Sequence, residues 1–485
     1  MSTPYITGRA DWLRNDTFVL SAAGVSVALA ASAFYSPLPL VIVIGIPFLL
    51  YCLSRPYELL LVMVFLIPFN FVFTIGTVPV AIELLKVFAW IPFLLTRRQR
   101  SEFIGSRFNK WFAVLAGIIL LSLIRANDFP FTVKESVRLA SNLGLVYLAL
   151  NLVDSREKLF QLLRVLTVST FLVACYGFYQ WAIQGYGALF WIVNPRLNTS
   201  LAHYRDDFWP WRNRIISVLT SEMELGHYFN LCLPVGVMLW LTEGRRRVGS
   251  KWLLMTFAML AGLVLTFTFG AWLALAATCA LFVLTLAGKA RWKLLLAGVV
   301  ILSLLVALVA YGPLRPIVVA KATGTAIGSL TWDIVTRLIG WKLAMQTWLS
   351  HPLLGVGIGN YEVTSAGYDY VLGPQSQGSS PHETYLYLLA SIGLVGTLSV
   401  LVIMVSTLRS NLQDVGVDPD LRLLKLALAF ALATNLIGWF GDDSGFYGPH
   451  AGYLLWLFVG LSEAIPRIAE RPLTPFRAGP NPASL

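Results

Sequence analysis

Apolar stretches of membrane-spanning length follow one another along most of this chain, and no other feature narrows its fold as far. Windows of about 17 to 25 apolar residues, the length that crosses a bilayer as a helix, fall near 17–35, 38–53, 57–75, 79–95, 111–124, 136–153, 159–183, 222–241, 252–269, 271–287, 293–311, 384–407, 422–440 and 447–464. The expectation is an all-α polytopic membrane protein with about 12–14 transmembrane helices and a large extracytoplasmic loop region. Composition agrees: hydrophobic residues make up 57% and charged ones only 13%, where soluble domains carry roughly a quarter charged.

The windows divide the chain. Residues 1–311 hold the first eleven expected spans, with an outer loop near 185–221; 312–383 form an extracytoplasmic loop and helix region; 384–464 hold the last three spans; 465–485 are a cytoplasmic tail. The first apolar window has no small-residue cleavage motif and reads as the first span.

A net charge of +11 invites a nucleic-acid reading, but the basic residues cluster between spans rather than on one soluble face. Arg97, Arg98, Arg100, Arg107 and Lys110 share one connection, Arg245, Arg246, Arg247 and Lys251 a second, Lys289, Arg291 and Lys293 a third, and Arg467, Arg471 and Arg477 the tail. In the fourteen-span count all four fall on one side, which should be the cytoplasm. No nucleic-acid partner is implied; membrane lipid is. Cys52, Cys175, Cys232 and Cys279 all fall in spans without a Cys-x-x-Cys pair, so neither a disulfide nor a zinc site is expected.

Between His351 and Gly396 the chain is neither lipid-like nor basic: HPLLGVGIGNYEVTSAGYDYVLGPQSQGSSPHETYLYLLASIGLVG. Gly355, Gly357 and Gly359 alternate behind His351 and Pro352, a pattern suited to a tight backbone turn offering N–H groups to an anion. The spacing fits neither a Walker loop nor a dinucleotide fingerprint. His382 stands where a loop meets the start of an apolar helix, and a helix N-terminus favours an anionic ligand.

This stretch resembles the signature of the O-antigen ligase and polymerase superfamily, HPLxGxGxGNF, then a variable loop, then H-(N/S/E)-x-(Y/F)-L with G-(L/I)-x-G downstream. The matching residues are His351, Pro352, Leu353, Gly355, Gly357, Gly359, Asn360 and Tyr361, then His382, Tyr385, Leu386, Gly393, Leu394 and Gly396. The resemblance implies a GT-C-like membrane glycosyltransferase of the bacterial cytoplasmic membrane, with its site facing the periplasm or exterior. It further implies metal-independent, inverting transfer without a cofactor, from an undecaprenyl-diphosphate-linked glycan to a glycan or lipid A–core acceptor. A chain-length regulator protein is the implied protein partner. His351 then belongs to a structural Pro-Gly turn with the three glycines, and His382 is the base.

Such a transfer needs cations on the departing diphosphate and a base for the acceptor hydroxyl. Arginine suits the first through its bidentate geometry and histidine the second through its near-neutral pKa. Arg212 and Arg214 precede the eighth span, at the end of an aromatic, arginine-rich loop that suits either an interfacial belt or sugar faces. Glu222, Glu224 and His227 then enter that span, where ionisable residues point to function. Glu222 and Glu224 are expected to bind substrate. Arg337, Trp341 and Ala344 resemble the family's R-x-x-x-W-x-x-A helix, and the segment from Thr331 to Pro352 has helical periodicity. Phe269 stands where many relatives carry an arginine, leaving the diphosphate to Arg212, Arg214 and Arg337.

The neighbouring polar groups keep two readings. Arg125, Lys134 and Arg138 snorkel to lipid phosphates or meet the donor headgroup; Asp442, Asp443 and His450 line the site or are solvated. Polymerase is favoured over ligase on the 185–221 loop and the glutamates of the eighth span. A transporter with Glu83, Glu222 and Glu224 as coupling carboxylates is the rival from another class, but no inverted repeat supports it.

Overall fold

A computed structural model describes residues 55–69, 72–75, 78–81, 103–183, 214–243, 250–286, 330–361, 381–413, 418–442, 446 and 450–470. The expected spans near 17–35, 38–53 and 293–311, the 185–221 loop up to Asn213, Glu83, Lys86, His203, Arg212 and Asp443 lie outside the described residues.

The described chain is helical apart from one small ribbon. Its helices are α1 (Pro56–Leu66), α2 (Asn109–Ile124), α3 (Phe129–Leu152), α4 (Arg156–Ile183), α5 (Glu222–Glu243), α6 (Ser250–Leu265), α7 (Phe269–Leu286), α8 (Leu330–Ser350), α9 (Thr384–Leu412), α10 (Pro419–Gly438) and α11 (Ala451–Glu470). Four of them, α4, α5, α9 and α10, are long and apolar enough to cross a membrane, with α1, α2, α6 and α7 shorter but also apolar. This is an all-α polytopic membrane protein.

The window at 57–75 needs correction, as do the first three residues of that at 79–95, whose remainder lies outside the described residues. The helix stops at Leu66, and β1 (Val72–Ile75) pairs antiparallel with β2 (Val78–Ala81), Ile75 opposite Val78. Hydropathy cannot separate a buried helix from a short apolar strand. Here Pro68 favours a helix stop, and Val72, Thr74, Ile75, Val78 and Val80 are β-branched residues that pack well on a pleat.

The helices run up and down, so the chain has two unlike ends. The starts of α2, α4, α6 and α10 gather with the ends of α3, α5, α9 and α11, and Arg107, Lys110, Arg156, Lys158, Arg164, Lys251, Arg409, Arg422 and Arg467 lie there. His227, His351, His382 and His450 all lie toward the other end.

Helices α5 and α10 pack on each other at the centre, with α4, α6 and α7 around α5 and α7, α9 and α11 around α10. The first fifteen or so residues of α5 after Met223 are buried nearly all round, as expected of a helix enclosed by others. Close approach depends on small residues: a Cβ at Gly226 would meet Ala271 Cβ at 2.9 Å, and one at Gly438 would meet the His227 ring at 2.5 Å. Such contacts hold helices together in lipid, where the hydrophobic effect between them is weak.

The expected helix after Thr331 is α8, which packs on α9 through Ala344, Tyr387 and Ala390. Spans α6 and α7 meet in the expected tight turn beside Gly270. Arg138 does not snorkel: its Nη1 donates to the buried Glu135 carboxylate at 2.8 Å.

Candidate functional site

Helix α9 is broken, and the glycine motif fills the break. Gly393 has φ +66 inside an otherwise helical run, a conformation that glycine adopts without penalty. A break in a membrane helix leaves N–H and C=O groups that must find partners. Val356 N donates to Ala390 O at 2.9 Å and Gly357 N to Ser391 O at 2.8 Å, while Leu394 N donates to Pro352 O at 2.9 Å and Val395 N to Leu353 O at 3.1 Å. The two halves of the signature therefore form one unit through main-chain bonds.

That packing corrects the anion-turn expectation for Gly355 and Gly357. Gly355 N donates to His351 O and Gly357 N to Ser391 O, so both are spent on the protein's own carbonyls. Gly355 and Gly393 touch backbone to backbone: a Cβ on Gly355 would lie 2.5 Å from Ser391 C, and one on Gly393 2.4 Å from Leu353 C. Asn360 completes the unit, its Oδ1 accepting from Asn127 N at 3.0 Å and its Nδ2 donating to Arg125 O at 3.2 Å. The motif is thus bolted to the α2–α3 turn as well. His351 is exposed, its Nδ1 3.0 Å from Ser350 Oγ.

His382 sits one residue before the cap of α9 with φ +50, a left-handed conformation uncommon outside glycine, though less rare for asparagine, aspartate and histidine. Several bonds hold it there. The Glu383 side chain caps the helix by accepting from Tyr385 N at 3.2 Å and Leu386 N at 2.5 Å. Burial pushes the Glu383 carboxyl above the usual carboxylate range, against the lowering effect of those two N–H groups. With both oxygens engaged, Glu383 serves the helix rather than the chemistry.

The end of α10 lies against this turn. Thr384 N donates to Trp439 O at 2.9 Å, Thr384 Oγ1 to Asp442 O at 2.7 Å, and Tyr385 Oη to Leu436 O at 2.8 Å. Arg337 reaches across from α8, its Nη1 donating to His382 O at 3.1 Å and to Gly441 O at 2.5 Å. Two residues singled out from sequence, His382 and Arg337, are therefore in contact. Arg337 does so as a clamp on the histidine's main chain, and its other guanidinium nitrogens have no partner among the described residues.

The remaining candidates gather on the start of α5. Arg214 does not stand open for a ligand: its guanidinium donates to Thr266 O at 2.9 Å and Phe267 O at 3.3 Å, lies 2.7 Å from Glu222 Oε1 and is 8% exposed. It binds the chain before α5 to the α6–α7 turn, beside Phe269, with Glu222 as its counter-charge. Glu224 is sealed. Its Oε1 lies 2.8 Å from His450 Nδ1 and accepts from His450 N at 3.2 Å, and its Oε2 accepts from Thr220 Oγ1 at 2.5 Å. The substrate-binding role expected of Glu224 does not fit this burial.

Sequence reasoning named Asp442, His450, Glu224 and His227 but not their pairing. His227 Nε2 lies 3.3 Å from Asp442 Oδ2, and both side chains are almost wholly buried. The four groups pair two by two, and among the described residues no three His, Cys, Asp or Glu side chains are placed to share a metal ion. The available signal was complementarity: an acid and a histidine at i, i+3 on one membrane helix, and an acid and a histidine bounding GDDSGFYGPH.

Residues 254–401, from α6 through the break in α9, match the family model described as O-antigen ligase. The match supports the O-antigen ligase and polymerase superfamily. It takes in both halves of the signature and His382, covers less than half of the chain, and leaves out α5 and the α10–α11 loop that complete the site. The match supports glycosyltransferase activity of the ligase or polymerase type. Among curated proteins nothing matches the chain.

Proposed function

We propose that this O-antigen ligase superfamily protein moves a glycan from an undecaprenyl-diphosphate-linked donor to an acceptor hydroxyl on the outer face of the bacterial cytoplasmic membrane, with His382 as general base. The observation that carries the reading is the construction around His382. A left-handed backbone residue is held at the start of a broken span by Arg337 together with the bonds of Glu383 and Thr384 beside it. Its end of the bundle is opposite the one where the arginines and lysines collect, and positively charged connections stay in the cytoplasm.

In this mechanism His382 takes the proton of the acceptor hydroxyl as its oxygen attacks the anomeric carbon. The bond from that carbon to the diphosphate oxygen breaks, and the lipid diphosphate leaves with the electron pair. Direct displacement inverts the configuration. Arg212 and the uncommitted nitrogens of Arg337 are the donors proposed for the growing charge on the diphosphate. No metal or cofactor is invoked.

Polymerase and ligase share these steps and part only at the acceptor. The burial of Glu224 removes one of the two reasons for favouring a polymerase. Purified protein given lipid-linked repeat alone separates the two: chain growth identifies a polymerase, and product formed only after adding lipid A–core identifies a ligase. His382→Ala should abolish either product while the protein still inserts and folds. Normal product from that variant would overturn the assignment.

A further inference from the structure

The transfer site rests on a loop whose two ends are tied to neighbouring turns of one central helix. Asp442 follows directly on Gly441, whose carbonyl shares Arg337 Nη1 with the carbonyl of His382. The carbonyl of Asp442 itself accepts from Thr384 Oγ1 at 2.7 Å. Any shift of Asp442 therefore moves both partners of the His382 turn. On the opposite side the Asp442 carboxylate lies 3.3 Å from His227 Nε2 on α5.

Glu224, three residues earlier on the same helix, takes the other end of the loop through His450, main chain and side chain together. The two pairs are of opposite sense: α5 supplies the imidazole in one and the carboxylate in the other. Exchanging the loop's ends would set two acids, Glu224 and Asp442, against each other and two imidazoles together. The arrangement thus specifies which end of the loop lies where.

We propose that Glu224 and His227 are positioning residues for the transfer reaction, fixing His450 and Asp442 at the two ends of the α10–α11 connection and, through Gly441, Arg337 and Thr384, the orientation of His382. Both are 1% exposed or less, so they act through the loop rather than on the substrate. Burial also sets the size of the effect, since removing one member leaves buried polar atoms of the other without a partner that water could replace. The proposal rests on the reading of His382 as the base.

The test uses the full-length protein in lipid nanodiscs, with lipid-linked oligosaccharide extracted from the source strain as donor, and measures kcat and donor KM. Glu224→Ala and His227→Ala are expected to lower kcat by about tenfold or more with donor KM within about threefold of the original. The exchanged pair, Glu224→His with His450→Glu, is expected to recover most of the kcat lost in Glu224→Ala. Where alanine leaves too little folded protein, Glu224→Gln and His227→Phe preserve volume and are measured instead, with the same expected fall in kcat.

Wild-type kcat in the folded variants overturns the proposal, as does a rise in KM at unchanged kcat, which would make these residues substrate ligands. Failure of the exchanged pair to exceed the single variant also overturns it. Loss of activity in His382→Ala alongside normal α5 variants removes the positioning role alone. Retained activity in His382→Ala removes the reading beneath it.

Discussion

The two ends of this bundle use the same charged side chains to opposite effect. At the basic end, Arg156 bridges Asp418 and Asp420, Arg164 meets Glu243 at 2.8 Å, and Arg107 meets Glu463 at 3.4 Å. The arginine side chains there are 33%, 45% and 44% exposed. At the site end, Glu224 with His450 and His227 with Asp442 are sealed inside the protein. Exposed pairs staple helix ends and contribute little, because water and salt screen them. Sealed pairs contribute mainly specificity, since separating them leaves buried polar atoms that water cannot reach. The contrast shows where the fold is rigid, and rigidity lies under His382.

The sharpest way to break the site end is through its backbone. Gly393→Ala or Gly355→Ala places a Cβ about 2.5 Å or less from main-chain atoms at a positive φ. Each should cost about 4 kcal/mol or more, seen as loss of folded protein in detergent extracts. His450→Ala comes next: it leaves Glu224 buried without its partner and should cost about 3–5 kcal/mol in reversible unfolding.

Arg337→Lys keeps the charge on a shorter side chain and withdraws the one nitrogen that serves both His382 O and Gly441 O. It should cost about 1–2 kcal/mol and lower kcat by about tenfold, with wild-type kcat counting against the clamp. Arg156→Ala, at the basic end, should cost about 1 kcal/mol or less. Raising the salt concentration should erase that difference while leaving the cost of His450→Ala unchanged.

Much of this architecture was legible in the sequence, for a simple physical reason. Lipid demands apolar side chains over a fixed length, so nine of the expected windows carry described helices in nearly the same places. The exception near 72–81 shows the limit, since hydropathy measures burial and not backbone shape. The proposal for His382 starts from a polar motif that interrupts a greasy chain.

Gly355 and Gly357 were read correctly as structural and incorrectly as an anion cradle. Periodicity says where a backbone turns and is silent on which carbonyl will receive its N–H. The α5 pairs were legible only as loose ends. Glu224 and Glu222 looked alike on sequence, yet one is buried against His450 and the other pairs with Arg214 at the rim. That distinction arises from α11 and the α6–α7 turn, far away along the chain.

The interruption of α9 at Gly393 also bears on how the protein is made. Translation delivers the 352–357 strip before α9 exists, and the strip holds in advance the hydrogen bonds that the later helix lacks. When α9 enters the bilayer, the carbonyls of Ala390 and Ser391 and the N–H groups of Leu394 and Val395 have no partners within their own helix. They cannot remain so in hydrocarbon. Completion of this span is therefore conditional on the strip already lying beside it, where its carbonyls and N–H groups meet those of the break.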